Sequence, residues 1–281
     1  RSTLFPYTTL FRSRAYVGGT SGLIYGYVND GFYKVEDFEY FDSKSRTWKL
    51  KEGVVDSSPL SDTPRPGNAK FKKLTPVDPN SSNPYQLTEA DRTVIGNTTP
   101  KFSGGFGLNA TYKGFDLSMF FNFMYDFDVF NANKVMLTTW ADNHENNFGM
   151  EVASDKRWRN FDDMGNEIRY SPELLAEFNK NATMWNPTSI GKPISMSYAV
   201  EDGSFLRLNS ATLGYTLPQE WTKKAGLNKV RFYVAGSNLF TITGYSGYDP
   251  EVDIATGLTP NIDNNRYPRS RTYTFGAQLT F

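Results

Sequence analysis

The sequence runs to 281 residues with 30 basic and 30 acidic side chains, so no net charge points to nucleic acid or to an anionic surface. It contains no cysteine, which excludes a disulfide frame, thiol chemistry and a Cys-based zinc site. No apolar run approaches the roughly 18 residues of a membrane helix, yet aromatic residues reach 16 % in a chain of mean hydropathy −0.52. That mixture suits a β-barrel with aromatic girdles, a wet lumen and polar loops; it also suits a glycan-binding all-β protein.

Residues Arg1–Ser13, RSTLFPYTTLFRS, lack the charged start and continuous apolar core of a signal peptide. They resemble translated sequencing-adapter sequence, which sets 1–13 apart from 14–281 and implies a fragment of a longer protein. From Tyr16 to Asn29 the Gly-rich run predicts a strand that ends at the turn Asn29-Asp30-Gly31. Residues 32–100 are proline-rich and of mixed charge. They predict a long excursion with local structure but no clear core of its own. Within it, Asp78, Asn80, Ser82 and Glu89 fall at the first, third, fifth and twelfth positions of an EF-hand-like loop. Ser82 and Asn83 stand where such a loop carries a carboxylate and its turn glycine, so a polar loop is the competing reading.

The alternation is cleanest after Lys101. Phe102, Phe106, Leu108 and Tyr112 share one face, and Ser103, Asn109 and Thr111 the other. Lys113-Gly114 predicts a two-residue hairpin turn. The return strand puts Phe115, Leu117, Met119, Phe121, Phe123 and Tyr125 on one face, with Asp116, Ser118 and Asn122 opposite. Strands of this length exceed the five or six residues usual in a globular hairpin and match the roughly 9–11 needed to cross a bilayer.

A second excursion, Asp128 to Asp202, holds Trp140, Trp158, Trp185, the lone His144 and a predicted helix at Pro172–Lys180. The tryptophans could stack on sugar rings or pack the loops together. Asp162-Asp163 lacks a partner at the spacing a glycosidase needs, which argues against an enzyme. Ser204–Leu217 predicts a strand whose phase slips near Asn209-Ser210, the mark of a β-bulge. After a short connection, Val230 to about Thr241 predicts the next strand. Arg207 and Arg231 read as facing the lumen, because a charge facing lipid costs about 2–4 kcal/mol at the midplane. In the following loop, Tyr248, Asp249 and Glu251 are candidates for contact with substrate or a partner; a turn locked by Gly247 and Pro250 is the alternative.

Arg271–Phe281 closes the chain with alternating Tyr273, Phe275, Ala277, Leu279 and Phe281. Every second connection in this sequence is short, the arrangement of outer-membrane barrels with long loops outside and tight turns inside. The fold expected is therefore all-β: an antiparallel transmembrane β-barrel fragment with long extracellular loops. The spacing Thr274-x-Gly276-x-x-Leu279-x-Phe281 resembles the C-terminal signal read by the bacterial barrel-assembly machinery.

Nine short segments appear in the order found in the SusC/RagA family of TonB-dependent outer-membrane transporters, and residues 18–281 resemble its C-terminal barrel region. They are YGYVNDGFY (Tyr25–Tyr33), DRTVIGN (Asp91–Asn97), PKFSGGF (Pro100–Phe106), YKGFDLS (Tyr112–Ser118), EDGSFLRL (Glu201–Leu208), LGYTLP (Leu213–Pro218), NLFTIT (Asn238–Thr243), GYDPE (Gly247–Glu251) and YPRSR (Tyr267–Arg271). The resemblance implies about the last six strands of a plugged barrel of roughly 22 strands. It implies active uptake of oligosaccharides or peptides across a Gram-negative, Bacteroidetes-like outer membrane. A SusD-like surface lipoprotein would lid the barrel, and TonB-ExbB-ExbD would supply energy through a plug region that this sequence lacks. No cofactor and no nucleic acid enter that picture. An outer-membrane adhesin with ligand-binding loops and a secreted carbohydrate-binding β-sandwich are the alternatives.

Overall fold

A computed structural model of the chain describes residues 22–61, 63–139, 149, 152, 156–190, 194–252 and 261–281. The segment 1–13, Trp140 and His144 lie outside the described residues. Six short strands come first: β1 (Leu23–Gly26), β2 (Asn29–Phe32), β3 (Phe38–Asp42), β4 (Thr47–Leu50), β5 (Ala69–Phe71) and β6 (Thr93–Asn97). The long hairpin β7 (Phe102–Tyr112) and β8 (Phe115–Tyr125) follows, then β9 (Asp128–Asn131), helix α1 (Ala132–Thr138) and helix α2 (Pro172–Phe178). Strands β10 (Val200–Asp202) and β11 (Phe205–Thr216), the turn of helix α3 (Gln219–Thr222), β12 (Lys229–Thr243), β13 (Ile262–Asp263) and β14 (Thr272–Thr280) complete the chain.

The five long strands make one antiparallel sheet in the order β14-β12-β11-β8-β7. Each has 9 to 15 residues, enough to cross a hydrocarbon layer when tilted. Lys113 and Gly114 take φ of 46° and 88°, the left-handed pair of a type I′ turn, whose twist matches that of the strands it joins. The expected phase slip is present. Pairing of β11 shifts between Leu208 and Ser210 against both neighbours, while Asn238 on β12 adopts φ of 53° at the same level.

Register puts the greasy residues on one face. Across the sheet Phe106 meets Phe121, Phe121 meets Leu208 and Leu208 meets Phe240; nearer the turns Leu117 meets Leu213, Leu213 meets Val234 and Val234 meets Phe275. Among the described residues most of this face stays bare, although Leu208 is buried beneath its neighbours. Phe232 is 51 % and Phe275 75 % exposed, and Phe106, Leu108, Leu213 and Val234 are exposed beside them. Water-soluble domains do not leave so broad an apolar patch bare, whereas hydrocarbon accepts it without cost. Aromatic rings gather at both ends of the strands. Phe102 stacks on Tyr125 at the loop end with centroids 4.9 Å apart; Phe115 meets Tyr215 at 4.5 Å, near exposed Tyr112 and Trp221, at the turn end.

The Tyr16–Asn29 stretch is described only from residue 22. There β1 pairs with β6 instead of joining the five-stranded sheet, and Asn29–Phe32 is itself the strand β2, paired with β5. The predicted turn survives inside it as an irregularity: Gly31 has φ of 75° and donates its N–H to the Asn29 side chain.

At the loop end the two excursions share one core. Ala69, Phe71 and Leu87 from the first pack with Phe130, Val135, Trp185, Ile190 and Met196 from the second. The first excursion therefore lacks a core only when taken alone; its apolar residues are spaced too far apart to show in a local pattern. A satellite cluster of Trp158, Ile168 and Leu175 packs against Phe32 and Trp48, again joining both excursions. No helix among the described residues is long and apolar enough to cross a membrane.

Candidate functional site

The polar face of the sheet carries its charges in two groups. Near the turn end, Arg231 on β12 forks onto Asp116 of β8, with Nε to Oδ1 at 2.9 Å and Nη2 to Oδ2 at 2.5 Å. The pair reaches over β11 only because residue 214 is glycine, since a Cβ there would collide with both the guanidinium and the carboxylate. Tyr233 continues the row. Its ring lies 5.3 Å from the Arg231 guanidinium carbon and covers Gly276 of the last strand. Both arginines singled out in the sequence thus occupy the face away from the apolar residues. Substituting Gly214→Leu should destabilise the sheet by about 1–3 kcal/mol through overpacking, read as a lower thermal midpoint of the intact protein.

The second group sits at the loop end and joins three of the family-like segments. Arg207, 1 % exposed, reaches Asp249 Oδ1 at 2.5 Å and lies 3.3 Å from Glu251 Oε2. The latter contact is an ion pair without hydrogen-bond alignment, and Arg207 Nε has no hydrogen-bond partner. Arg269 closes the cluster, donating Nη2 to Glu251 Oε1 at 2.9 Å. Within the loop, the Glu251 amide donates to Asp249 Oδ1 at 2.9 Å. The carboxylates of GYDPE therefore bind the arginines of EDGSFLRL and YPRSR, latching the loop after β12 onto the polar face. Tyr248 alone of the three candidates there points into solvent, 81 % exposed.

Trp185 and Trp158 are both buried. Trp185 donates its indole N–H to the Thr138 carbonyl at 3.1 Å and meets Tyr198 edge-on; Trp158 meets Phe32 edge-on and covers Gly67. Neither offers a ring face to a ligand. Asp78 turns onto its own loop, accepting the Asn80 amide at 2.9 Å, and Glu89 opens the short 3-10 turn that carries Asp91. No group of three or more His, Asp or Glu able to hold a metal occurs among the described residues. Asp162 accepts the amides of Met164 and Asn166, while Asp163 pairs with Arg159. The two adjacent carboxylates serve separate local roles. Of the terminal signal residues, Thr274 and Gly276 lie on the polar face and Leu279 on the apolar one, in register with Ala235, Tyr233 and Val230. Phe281 follows, 83 % exposed.

The residue that sequence reasoning passed over is Asp91, fully buried. Its carboxylate accepts from the amides of Leu74, Thr75 and Thr88, from both threonine hydroxyls and from Lys73. Burial pushes its pKa up, but the bonds from Thr75, Thr88 and Leu74 outweigh that and hold it well below the usual carboxylate range. A depressed acid contributes stability above its unfolded pKa that disappears as pH falls through the folded one. That contribution fades progressively as pH falls from the ordinary carboxylate range toward the lowered folded value, so the loop module should loosen in acid. Asp91→Ala should cost about 3 kcal/mol at neutral pH, because it strands several buried donors. Hydrogen exchange at residues 73–92 of the intact protein checks both.

Five membrane-length strands in a meander, apolar on one face and charged on the other, define part of the wall of a transmembrane β-barrel. Comparison with known proteins narrows the class. The chain is 32 % identical over 270 residues to TonB-dependent receptor P3 of Formosa agariphila, covering 94 % of this chain and 22 % of that protein. It is 37 % identical over 86 residues to TonB-dependent receptor SusC of Bacteroides thetaiotaomicron, covering 30 % of this chain and 8 % of SusC. Its fold matches a chain in the structure of the RagAB peptide transporter with a TM-score of 0.61 at 22 % identity, over 94 % of this chain and 23 % of that one. No family model matches. The chain is similar to TonB-dependent receptors of the SusC/RagA type, a likeness to β-barrel proteins of the outer membrane and not to enzymes. It spans about a fifth of the length of the P3 receptor it matches.

Proposed function

We propose that this chain supplies the C-terminal wall and part of the extracellular loop module of a SusC-like importer for oligosaccharides or peptides. A SusD-like surface lipoprotein is its partner in this reading, and TonB-ExbB-ExbD drives it through a plug carried elsewhere in the protein. The observation that supports it best is the union of an uncovered apolar sheet with loops that share a single core. Loops that served only to join strands would have no need of one. In the full wall the apolar face meets lipid of a Gram-negative outer membrane, while Arg231 faces the lumen and the Arg207 cluster pins the loop above it. Leu279 and Phe281, on the apolar side at the turn end, serve as the assembly signal together with Thr274 and Gly276.

The test is made on the intact receptor, purified from outer membranes in mild detergent and assayed in cells. The importer reading expects a surface lipoprotein to co-purify and uptake of a glycan or peptide to stop when TonB is removed. An adhesin instead binds ligand at the cell surface with or without TonB and imports nothing, which would overturn the proposal. Deleting Phe281 should lower the amount of folded receptor in the outer membrane several-fold while leaving its synthesis unchanged, as quantified by immunoblotting of membrane fractions.

A further inference from the structure

Three arginines converge in the loop module, far in sequence from the charged rows on the sheet. Arg46 lies in the turn between β3 and β4, Arg65 precedes β5, and Arg169 precedes α2. With Asn160 and the rings of Trp48 and Tyr170 they line a small, partly open pocket of about 60 Å3. One water needs only about 10–15 Å3 of such space. The volume admits a compact group such as sulfate, phosphate or carboxylate.

The arrangement gathers guanidiniums around one partly open pocket, with Arg46 and Tyr170 at its exposed rim. The guanidinium carbons of Arg46 and Arg169 lie 5.3 Å and 6.0 Å from the centre of the same Tyr170 ring. Tyr170 in turn stacks on Phe41, with centroids 5.8 Å apart, and Phe41 on Trp48 at 5.1 Å, so the wall is fixed by aromatic packing. Glu167 meets Arg169 at 2.5 Å on the Nε side, although that nitrogen makes no aligned hydrogen bond. Guanidinium groups present flat pairs of donors that match an oxyanion.

We propose that Arg46, Arg65 and Arg169, with Asn160, form a binding site for a single oxyanion carried by a ligand at the extracellular surface. Its chemistry is that of a sulfate ester, a phosphate or a carboxylate, held by paired N–H donors and bracketed by Trp48 and Tyr170. The site does not rest on the importer reading: anion binding can fail while uptake persists, and the reverse.

The experiment follows the thermal midpoint of the intact receptor in detergent at constant ionic strength, with chloride replaced stepwise by sulfate. A saturable rise is expected, and Arg46→Gln should weaken the apparent affinity at least about tenfold. Arg46→Lys keeps a point charge without the fork and should retain intermediate affinity, which guards against a variant that fails to fold. Arms with a sulfated oligosaccharide, its desulfated counterpart, and lipopolysaccharide with and without its phosphates identify whether a glycan or a lipid carries the anion. No anion-specific shift in the native receptor, or an equal shift in Arg46→Gln, would overturn the assignment. Arg46 and Arg169 would then only dress the Tyr170 ring.

Discussion

Replacing Arg207 by alanine in the intact receptor is expected to cost about 3–5 kcal/mol of local stability, because two nearly buried carboxylates lose their common cation. Asp249 and Glu251 are 13 % and 8 % exposed, and the remaining cation, Arg269, is half in solvent and reaches only Glu251 with its side chain. The loop carrying Tyr248 should detach from the polar face. The measurement is hydrogen exchange across residues 244–252 and 261–271, where protection should fall by about two to nearly four orders of magnitude at the stated cost. Protection elsewhere in the sheet should hold, since the latch ties a loop and not the strands. A companion Arg207→Met/Asp249→Asn/Glu251→Gln triple variant removes the charges together and should recover most of the loss. If Arg207→Ala left the loop protected, the latch would be ornamental.

The second large effect concerns the two faces of one strand. Leu213→Arg should reduce stability in a bilayer by about 1–3 kcal/mol, the cost of a guanidinium in hydrocarbon between the midplane and the turn-end interface. Thr212→Arg, one residue earlier, should cost far less, because Thr212 pairs with Ser118 and Ala235 on the polar face. Leu213 is 50 % exposed, so packing loss alone predicts a mild effect; only lipid makes the charge expensive. Unfolding of the reconstituted receptor in denaturant compares the two. Equal costs at 212 and 213 would remove the distinction between the faces.

The sheet was legible because its signal is local. Period-two alternation in β7, β8, β12 and β14, the Lys113-Gly114 turn and the slip at Asn209 can each be read within a dozen residues. The loop module was not, because its order depends on contacts between distant positions. Phe71 and Trp185 share a core across more than a hundred residues, and Asp91 is buried by donors from another turn of chain. The tryptophans illustrate the limit: an indole reads the same in sequence whether it caps Gly67 or faces a sugar. Arg207 could be assigned a face from strand parity, but its partners lie forty residues on. The charged segments EDGSFLRL, GYDPE and YPRSR gave no sign in sequence that they pair with one another, and their ion pairing supplies the physical reason they occur together. Where a short-range rule did mislead, at Asn29-Asp30-Gly31, the pull toward a turn was absorbed as an irregularity within the β2–β5 pairing.

The central claim is that hydrocarbon lies on one side of this sheet and water on the other. This chain has no cysteine of its own, so Val234→Cys and Ala235→Cys place spin labels on adjacent residues of β12 in the intact receptor reconstituted into vesicles. The label at 234 should be relaxed by dissolved oxygen and shielded from a water-soluble nickel complex, and the label at 235 should show the reverse. Labels at both positions equally open to the aqueous reagent would contradict the membrane assignment, and with it the importer.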